Sequence, residues 1–145
     1  MIERLNHLLA DLAVEYHKLQ NFHWYIQGKD FFTIHAKLEE YYGMVSEAVD
    51  ETAEQILMLG GRPLASLKEF LAETSIQEAD RAFLSSGQIA DELRRDFRLL
   101  LEEARTVKRQ AEAEENALIS AAMDGHIQEF SKLLWMLGQM DRQEA

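Results

Sequence analysis

The sequence has 145 residues, 47% of them apolar and 28% charged, a composition typical of a globular chain long enough to enclose one hydrophobic core. It contains no cysteine, which excludes disulfides and thiolate metal sites, and its 26 acidic and 15 basic side chains give a net charge of −11. Such a surface repels nucleic acid unless its basic residues cluster. With no signal-peptide core and no membrane-length apolar run, we predict a single domain, residues 1–145, with the cytoplasm as default location and no membrane contact.

Four long amphipathic helices are predicted, because apolar residues recur at helical spacing and glycine or proline marks the helix ends. Their predicted spans are Glu3–Tyr25, Phe31–Leu59, about Gln88–Ala111 and about Asn116–Met140. The long second connection, Leu64–Ser86, contains a short amphipathic piece, Ser66–Leu71. Two short connections and one long one indicate an all-α four-helix bundle with a single crossover that carries a short extra helix.

The apolar stripes of these helices predict which side chains are buried. The first helix is expected to bury Leu5, Leu8, Leu9, Leu12, Leu19 and Phe22. The last helix is expected to bury Ala117, Ile119 or Ser120, Met123, Ile127, Phe130, Leu134 and Leu137. The charged stretch Asp91–Arg98 of the third long helix is expected to be a solvated face with local ion pairs.

Two histidines flank the predicted loop at Gly28, and two carboxylates follow on the second helix. His23 and His35 are the histidines, and Asp50 and Glu54, four residues apart, share one helix face. Imidazole and carboxylate are ligands that iron, zinc and manganese accept. A Glu-x-x-His pair, the ligand pattern of a diiron site inside one bundle, occurs at none of the five histidines, so an intrachain diiron site is not expected.

The spacing of these residues along the second helix limits how they can share a metal. His35 precedes Asp50 by fifteen residues. At about 1.5 Å rise per residue this is roughly 22 Å along the helix axis, whereas metal–ligand bonds are about 2 Å long. If these residues do bind one ion, the acidic pair must therefore come from a second copy. An antiparallel two-fold pairing of this helix would bring His35 of one chain beside Asp50 of the other.

A resemblance to the Dps family of ferritin-like mini-ferritins is carried by three stretches, LNHLLADLAVEYHKLQNFHWYIQG, FFTIHAKLEEYYG and VDETAEQILMLGGRPLASL. The resemblance covers nearly the whole chain and is densest from Leu5 to Ser75. It implies a ferroxidase centre in which His23 and His35 of one subunit and Asp50 and Glu54 of its two-fold neighbour bind iron.

The same resemblance implies further roles and an activity. Glu39, one turn after His35, resembles the acidic residue that supports a second, weaker iron position. Trp24 matches the family's tryptophan beside the site, where we expect it either to trap a stray oxidising equivalent or to pack at a subunit interface. Dps-like proteins oxidise Fe(II), preferably with hydrogen peroxide, and store the Fe(III) mineral in a shell of twelve subunits, which suppresses hydroxyl radicals. Twelve chains at −11 each carry −132, which would attract cations.

The terminal segments differ from those of many relatives. A Lys/Arg-rich tail that binds DNA is common in the family. Here Arg4 is the only Lys or Arg before Lys18, and the final residues MDRQEA are not basic. We therefore expect no DNA binding through these segments.

The start of the last helix also differs. Relatives often place aspartates there, lining a three-fold pore for iron uptake. The matching positions are Asn116 and Ala121, with Glu112, Glu114 and Glu115 nearby as substitutes. The sequence leaves the uptake route open.

Two other functions are compatible with the residues alone. One is a non-catalytic helical module whose acidic helix binds other proteins. The other is a shell that binds zinc or manganese rather than oxidising iron. Absorbance of Fe(II) with peroxide tests the first, and competition between Zn(II) and Fe(II) tests the second.

Overall fold

The computed structural model describes residues 1–140, which fold into five α-helices and contain no strand beyond an isolated bridge between Ile26 and Leu84. The helices are α1 (Ile2–Tyr25), α2 (Phe31–Met58), α3 (Leu67–Glu73), α4 (Ser86–Ala113) and α5 (Ala117–Gln139). All predicted helices are confirmed, with ends within two residues of the predicted ones. Residues 141–145, which belong to the C-terminal segment considered above for DNA binding, lie outside the described range.

Two compact units divide the chain, Met1–Ser86 and Gly87–Ala145. The first contains α1, α2 and α3, and the second contains nearly all of α4 and the whole of α5. None of the five helices combines the length and apolarity that crossing a bilayer requires.

The first unit is built on the packing of α1 against α2. The buried apolar residues include Leu5, Leu8, Leu9, Leu12, Leu19 and Phe22 on α1, and Leu38, Tyr41, Val45, Ala48 and Ile56 on α2. The predicted stripe of α1 is therefore confirmed in full. Burying a large apolar side chain stabilises a fold by about 1.5–3 kcal/mol, so these stripes hold the two helices together.

The crossover is fastened to α1 by a buried carboxylate. Asp11, which has no solvent exposure, accepts hydrogen bonds from Thr74 Oγ1 and the Ser75 backbone N–H, each at 2.6 Å. The short helix α3 begins in a capping box, in which Ser66 Oγ accepts from the Glu69 N–H and the Glu69 carboxylate accepts from the Ser66 N–H. The predicted short helix thus has both a cap and a tertiary anchor.

The α1–α2 loop is tied to the far end of the crossover. Gln27 N–H donates to the Leu84 carbonyl at 3.0 Å, and Leu84 N–H donates to the Tyr25 carbonyl at 3.1 Å. Ser86 Oγ adds a bond to Asp30 Oδ2 at 2.8 Å. These bonds fix the loop that separates the two candidate histidines.

The second unit joins α4 and α5 through aromatic and polar contacts. Phe97 packs edge-on against Phe130, with ring centroids 5.6 Å apart, and Arg94 donates to the Leu137 carbonyl at 3.2 Å. Between the helices, Glu115 has φ 56°, in the left-handed region, and Asn116 caps α5 by accepting from the Ile119 N–H.

Two burial predictions for this unit need correction. On α5, the buried face includes His126 and Leu133, whereas Ile127 and Leu134 are only half-buried and Ala117 is exposed. On α4, the stretch Asp91–Arg98 does contain the expected local ion pairs, Arg94–Asp91 and Arg95–Glu92. It is not uniformly solvated, because Asp96 is 4% exposed. The apolar spacing located α5 correctly but misplaced two of its buried positions by one residue.

Candidate metal centre

The two candidate histidines come from helix ends on either side of one tight loop. His23 lies in the last turn of α1, and His35 lies in the second turn of α2. Between them, Gly28 has φ +112°, which L side chains rarely adopt, so glycine suits this position. The loop reverses the chain direction and returns α2 alongside α1.

The His23 and His35 imidazoles stack face to face, with ring centroids 3.7 Å apart and planes 12° from parallel. Phe31 stacks on the other face of His35, at 4.8 Å and 18°. His23 is 8% exposed, whereas His35 is half-buried. Both rings are held in place by their neighbours before any ligand arrives.

The hydrogen bonds of the two rings determine which nitrogen can bind a metal. His23 Nδ1 lies 2.6 Å from the His35 carbonyl oxygen, and His35 Nδ1 lies 2.6 Å from the His23 carbonyl oxygen. A carbonyl oxygen only accepts, so each Nδ1 carries the hydrogen and donates it. In the neutral imidazole this leaves the lone pair on Nε2, the nitrogen then available to a metal ion.

The carboxylates Asp50 and Glu54 lie elsewhere in the same chain. Both are exposed on the C-terminal half of α2. Within residues 1–140, no three of His23, His35, Asp50 and Glu54 bring ligand atoms within 4.8 Å of one another. In a single chain, the imidazole pair and the acidic pair are therefore separate groups of side chains.

Glu39 lies on the same part of α2 as His35, one turn further along. It is exposed and accepts a hydrogen bond from the Tyr42 hydroxyl at 3.3 Å. Partial burial, and then the charge of Glu39, raise the pKa of Tyr42, so the phenol keeps its proton at neutral pH. The Tyr42 ring stands edge-on to His23, with centroids 5.5 Å apart. Tyr42 thus links the carboxylate to the imidazole pair.

Trp24 is next to His23 in sequence, but its ring lies in a different environment. It is 65% exposed and lines a surface groove of about 380 Å³ between α1 and α3, together with Leu67 and Leu71. Within the described part of the chain, Trp24 makes no ring contact with His23 or His35. In one chain, the aromatic rings in contact with the imidazoles are those of Tyr42 and Phe31.

The residues considered for iron uptake surround the α4–α5 turn. Asn116 is occupied as the helix cap described above, and Ala121 is exposed on α5. Of the acidic neighbours, Glu112 pairs with Lys108 Nζ at 3.1 Å, and the same ammonium binds Asp124 at 2.8 Å. These carboxylates raise the pKa of Lys108 and keep it charged, so part of the local negative charge is neutralised.

Sequence reasoning missed Tyr42, Phe31 and the two backbone carbonyls as parts of the site. In the sequence, the apolar spacing does not distinguish Tyr42 from its neighbour Tyr41, which is the buried one of the two. A spacing of three residues from Glu39 was the available signal, since such side chains lie on one helix face. The carbonyl contacts depend on the loop conformation, which composition does not encode.

Comparison with known proteins gives consistent matches over nearly the whole chain. A family model of the ferritin-like domain matches residues 2–144. DNA protection during starvation protein 2 of Bacillus anthracis is 39% identical over 137 residues, 94% of this chain and 93% of that protein.

Solved structures agree with the sequence matches. The crystal structure of Dps from Staphylococcus aureus is similar with a TM-score of 0.94 and 34% identity, covering 99% of this chain and 95% of that one. The Vibrio cholerae O1 Dps protein, described as a member of a broad superfamily of ferritin-like diiron-carboxylate proteins, matches with a TM-score of 0.94 and 35% identity over 97% and 88% of the two chains.

Proposed function

Because this chain belongs to the Dps family of ferritin-like proteins, we propose that it is an iron-storing ferroxidase that protects against oxidative stress. Its substrates are Fe(II) and hydrogen peroxide, and its product is an Fe(III) mineral held inside a shell of twelve identical chains. Each reaction site is shared by two copies. His23 and His35 come from one copy, and Asp50 and Glu54 come from its two-fold partner.

The observation that carries this proposal is the fixed imidazole pair. Each Nδ1 donates to a carbonyl at 2.6 Å, so both Nε2 lone pairs are free for a metal ion without a change of tautomer. Imidazole nitrogen and carboxylate oxygen together suit iron, and the harder oxygen ligands favour the Fe(III) product. The described chain holds the two kinds of ligand apart, which supports a site completed by a second copy.

The redox change balances without a protein-bound cofactor. Two Fe(II) ions each give one electron to one hydrogen peroxide, whose O–O bond breaks to yield two Fe(III) and two hydroxide ions. The chain's part is to hold Fe(II) with neutral imidazoles and to offset the growing positive charge with Asp50 and Glu54. Glu39, one turn from His35, would support the second, more weakly bound ion.

The test is the absorbance of Fe(III) after adding peroxide to protein loaded with Fe(II) under anaerobic conditions. We expect His35→Ala and Asp50→Ala each to slow oxidation at least about tenfold, because loss of even an outer-shell partner of a ligand typically costs 10–100-fold. His17→Ala and Glu47→Ala are matched controls, since both side chains are exposed and lie outside the proposed site.

The outcomes separate the proposed functions. Wild-type rates in both ligand variants would refute the site assignment. An absence of protein-dependent oxidation in the wild type would favour a helical interaction module or a shell that binds zinc or manganese. Mass in solution is measured in parallel, because a chain that stays monomeric cannot form the proposed site.

A further inference from the structure

We propose that Tyr42 is the electron donor that quenches the oxidising equivalent left over when peroxide meets a single Fe(II) at the imidazole pair, with Glu39 accepting the phenolic proton. This inference rests on the proposed function but concerns a different event. It applies when only one of two iron positions is filled, so that iron supplies one of the two electrons that peroxide requires.

The geometry places Tyr42 in contact with the candidate ligands on one side and with a second tyrosine on the other. Its ring stands edge-on to His23, at 5.5 Å between centroids and 79° between planes. Tyr16 lies on its other side, at 5.8 Å and 88°, and the Tyr16 hydroxyl accepts from Gln20 Nε2 at 3.1 Å. The aromatic rings thus form a continuous series from the imidazole pair through Tyr42 to Tyr16.

The hydroxyl of Tyr42 has the partner that its oxidation requires. A phenol that loses an electron becomes strongly acidic, and its proton must leave at once for the neutral radical to form. The Glu39 carboxylate already accepts that hydrogen bond at 3.3 Å. Within its own chain Glu39 is exposed, so no described residue of that chain closes off the carboxylate that receives the proton.

The step balances in atoms and electrons. One Fe(II), one hydrogen peroxide and one tyrosine give one Fe(III), one neutral tyrosyl radical, one hydroxide and one water. Iron and tyrosine each lose one electron, the O–O bond breaks, and the tyrosine proton ends in water by way of Glu39. Without a second donor, the same reaction would release a hydroxyl radical.

Trp24 is the competing donor, and within the described part of one chain its ring does not contact the imidazoles. An indole is also oxidisable, but this one is 65% exposed and faces the α1–α3 groove. In the described chain its ring contacts neither imidazole, whereas Tyr42 contacts His23 directly. Contact with a candidate ligand, together with a carboxylate that accepts the proton, favours the tyrosine.

The experiment uses the full-length assembled protein, loaded anaerobically with one Fe(II) per site, mixed with peroxide and freeze-quenched for electron paramagnetic resonance. We expect a radical signal whose hyperfine structure collapses when tyrosine is ring-deuterated and is unchanged when tryptophan is deuterated. Tyr42→Phe should abolish this signal while keeping the ring packed against His23. Tyr25→Phe is the matched control, because Tyr25 contacts Phe83 rather than a histidine, and it should leave the signal intact.

Each alternative result is decisive. A signal that responds to deuterated tryptophan, or a tyrosyl signal that persists in Tyr42→Phe, overturns the proposal. Normal Fe(III) formation with no protein radical also overturns it and leaves the ferroxidase function standing. Absence of Fe(III) formation in the wild type refutes the ferroxidase function itself. If Tyr42→Phe does not assemble, labelled wild type with Tyr16→Phe, Tyr25→Phe and Tyr41→Phe decides by exclusion among the four tyrosines, since a signal lost in any of these variants refutes the assignment to Tyr42.

Discussion

A mixture of two complementary variants can distinguish a site shared by two copies from a site within one chain. Each variant lacks one half of the proposed ligands. One variant carries His23→Ala and His35→Ala and keeps its acids, and the other carries Asp50→Ala and Glu54→Ala and keeps its imidazoles. The two pairs are exchangeable in this way because His35 and Asp50 lie fifteen positions apart on α2, roughly 22 Å along the axis. Neither variant alone can form a complete site.

The expected magnitude follows from two-fold geometry. When the two variants assemble at random in equal amounts, half of the pairs are mixed. Each mixed pair has one site with all four ligands and one site with none. One quarter of all sites should therefore be complete, so activity should recover to about one quarter of the wild-type level. A site contained within one chain predicts no recovery.

A second mixture serves as the control. Wild-type chains are combined with chains in which all four ligands are alanine. A shared site predicts about one quarter of full activity, because only pairs of two wild-type chains are complete, whereas an intrachain site predicts about one half. The assay is peroxide-driven Fe(III) absorbance on co-expressed, doubly tagged assemblies whose composition is verified by mass spectrometry. A result near zero for the first mixture with one half for the second would refute the reasoning.

Of four further predictions, two concern the crossover, one the metal preference and one the surface. Ser66→Ala removes the cap of α3 and should cost about 1 kcal/mol, so α3 amides exchange roughly fivefold faster with deuterium while α1 amides do not. Hydrogen bonds from the Ala65 and Ser66 N–H groups and the Ser66 hydroxyl lower the pKa of Glu69. The cap should therefore be complete above the ordinary carboxyl pKa of 4.5 and be lost as the pH falls below that value. Protection of the α3 amides from exchange that does not change at low pH would contradict this. Zn(II) binds mixed nitrogen and oxygen sites more tightly than Fe(II), so equimolar Zn(II) should slow iron oxidation, and an unaffected rate would argue against the ligand set. Plasmid mobility at low salt should not shift, because the net charge is −11 and Arg4 is the only Lys or Arg before Lys18.

The helices could be predicted from the sequence because their signals are local. Leu5, Leu8 and Leu12 repeat at helical spacing, and Gly28 marks a turn whose positive φ the structure confirms. His23 and His35 were singled out as neighbours of that turn, and the structure stacks them. Patterns within a few residues of one another depend on backbone geometry, which sequence spacing reports directly.

Contacts between elements could not be predicted in the same way. His126 is buried where Ile127 was expected, because neighbouring positions differ by about 100° around a helix and only the packing partner decides between them. Asp11 is buried because Thr74 and Ser75, more than sixty residues away, donate to it. The Tyr42–His23 contact likewise joins two helices, and no spacing within one helix encodes it.

On the proposed arrangement, the distance along α2 between His35 and the acids Asp50 and Glu54 gives the protein a safeguard against misplaced chemistry. In that arrangement, a newly made chain without a partner would hold only half of the ligands, so it would not catalyse the oxidation of Fe(II) by peroxide in open solution. Ferroxidase activity would then appear only when chains have paired, and pairing is also the first step in forming the shell that holds the Fe(III) mineral. The length of one helix would thereby make the start of iron oxidation depend on the presence of a shell that can hold the product.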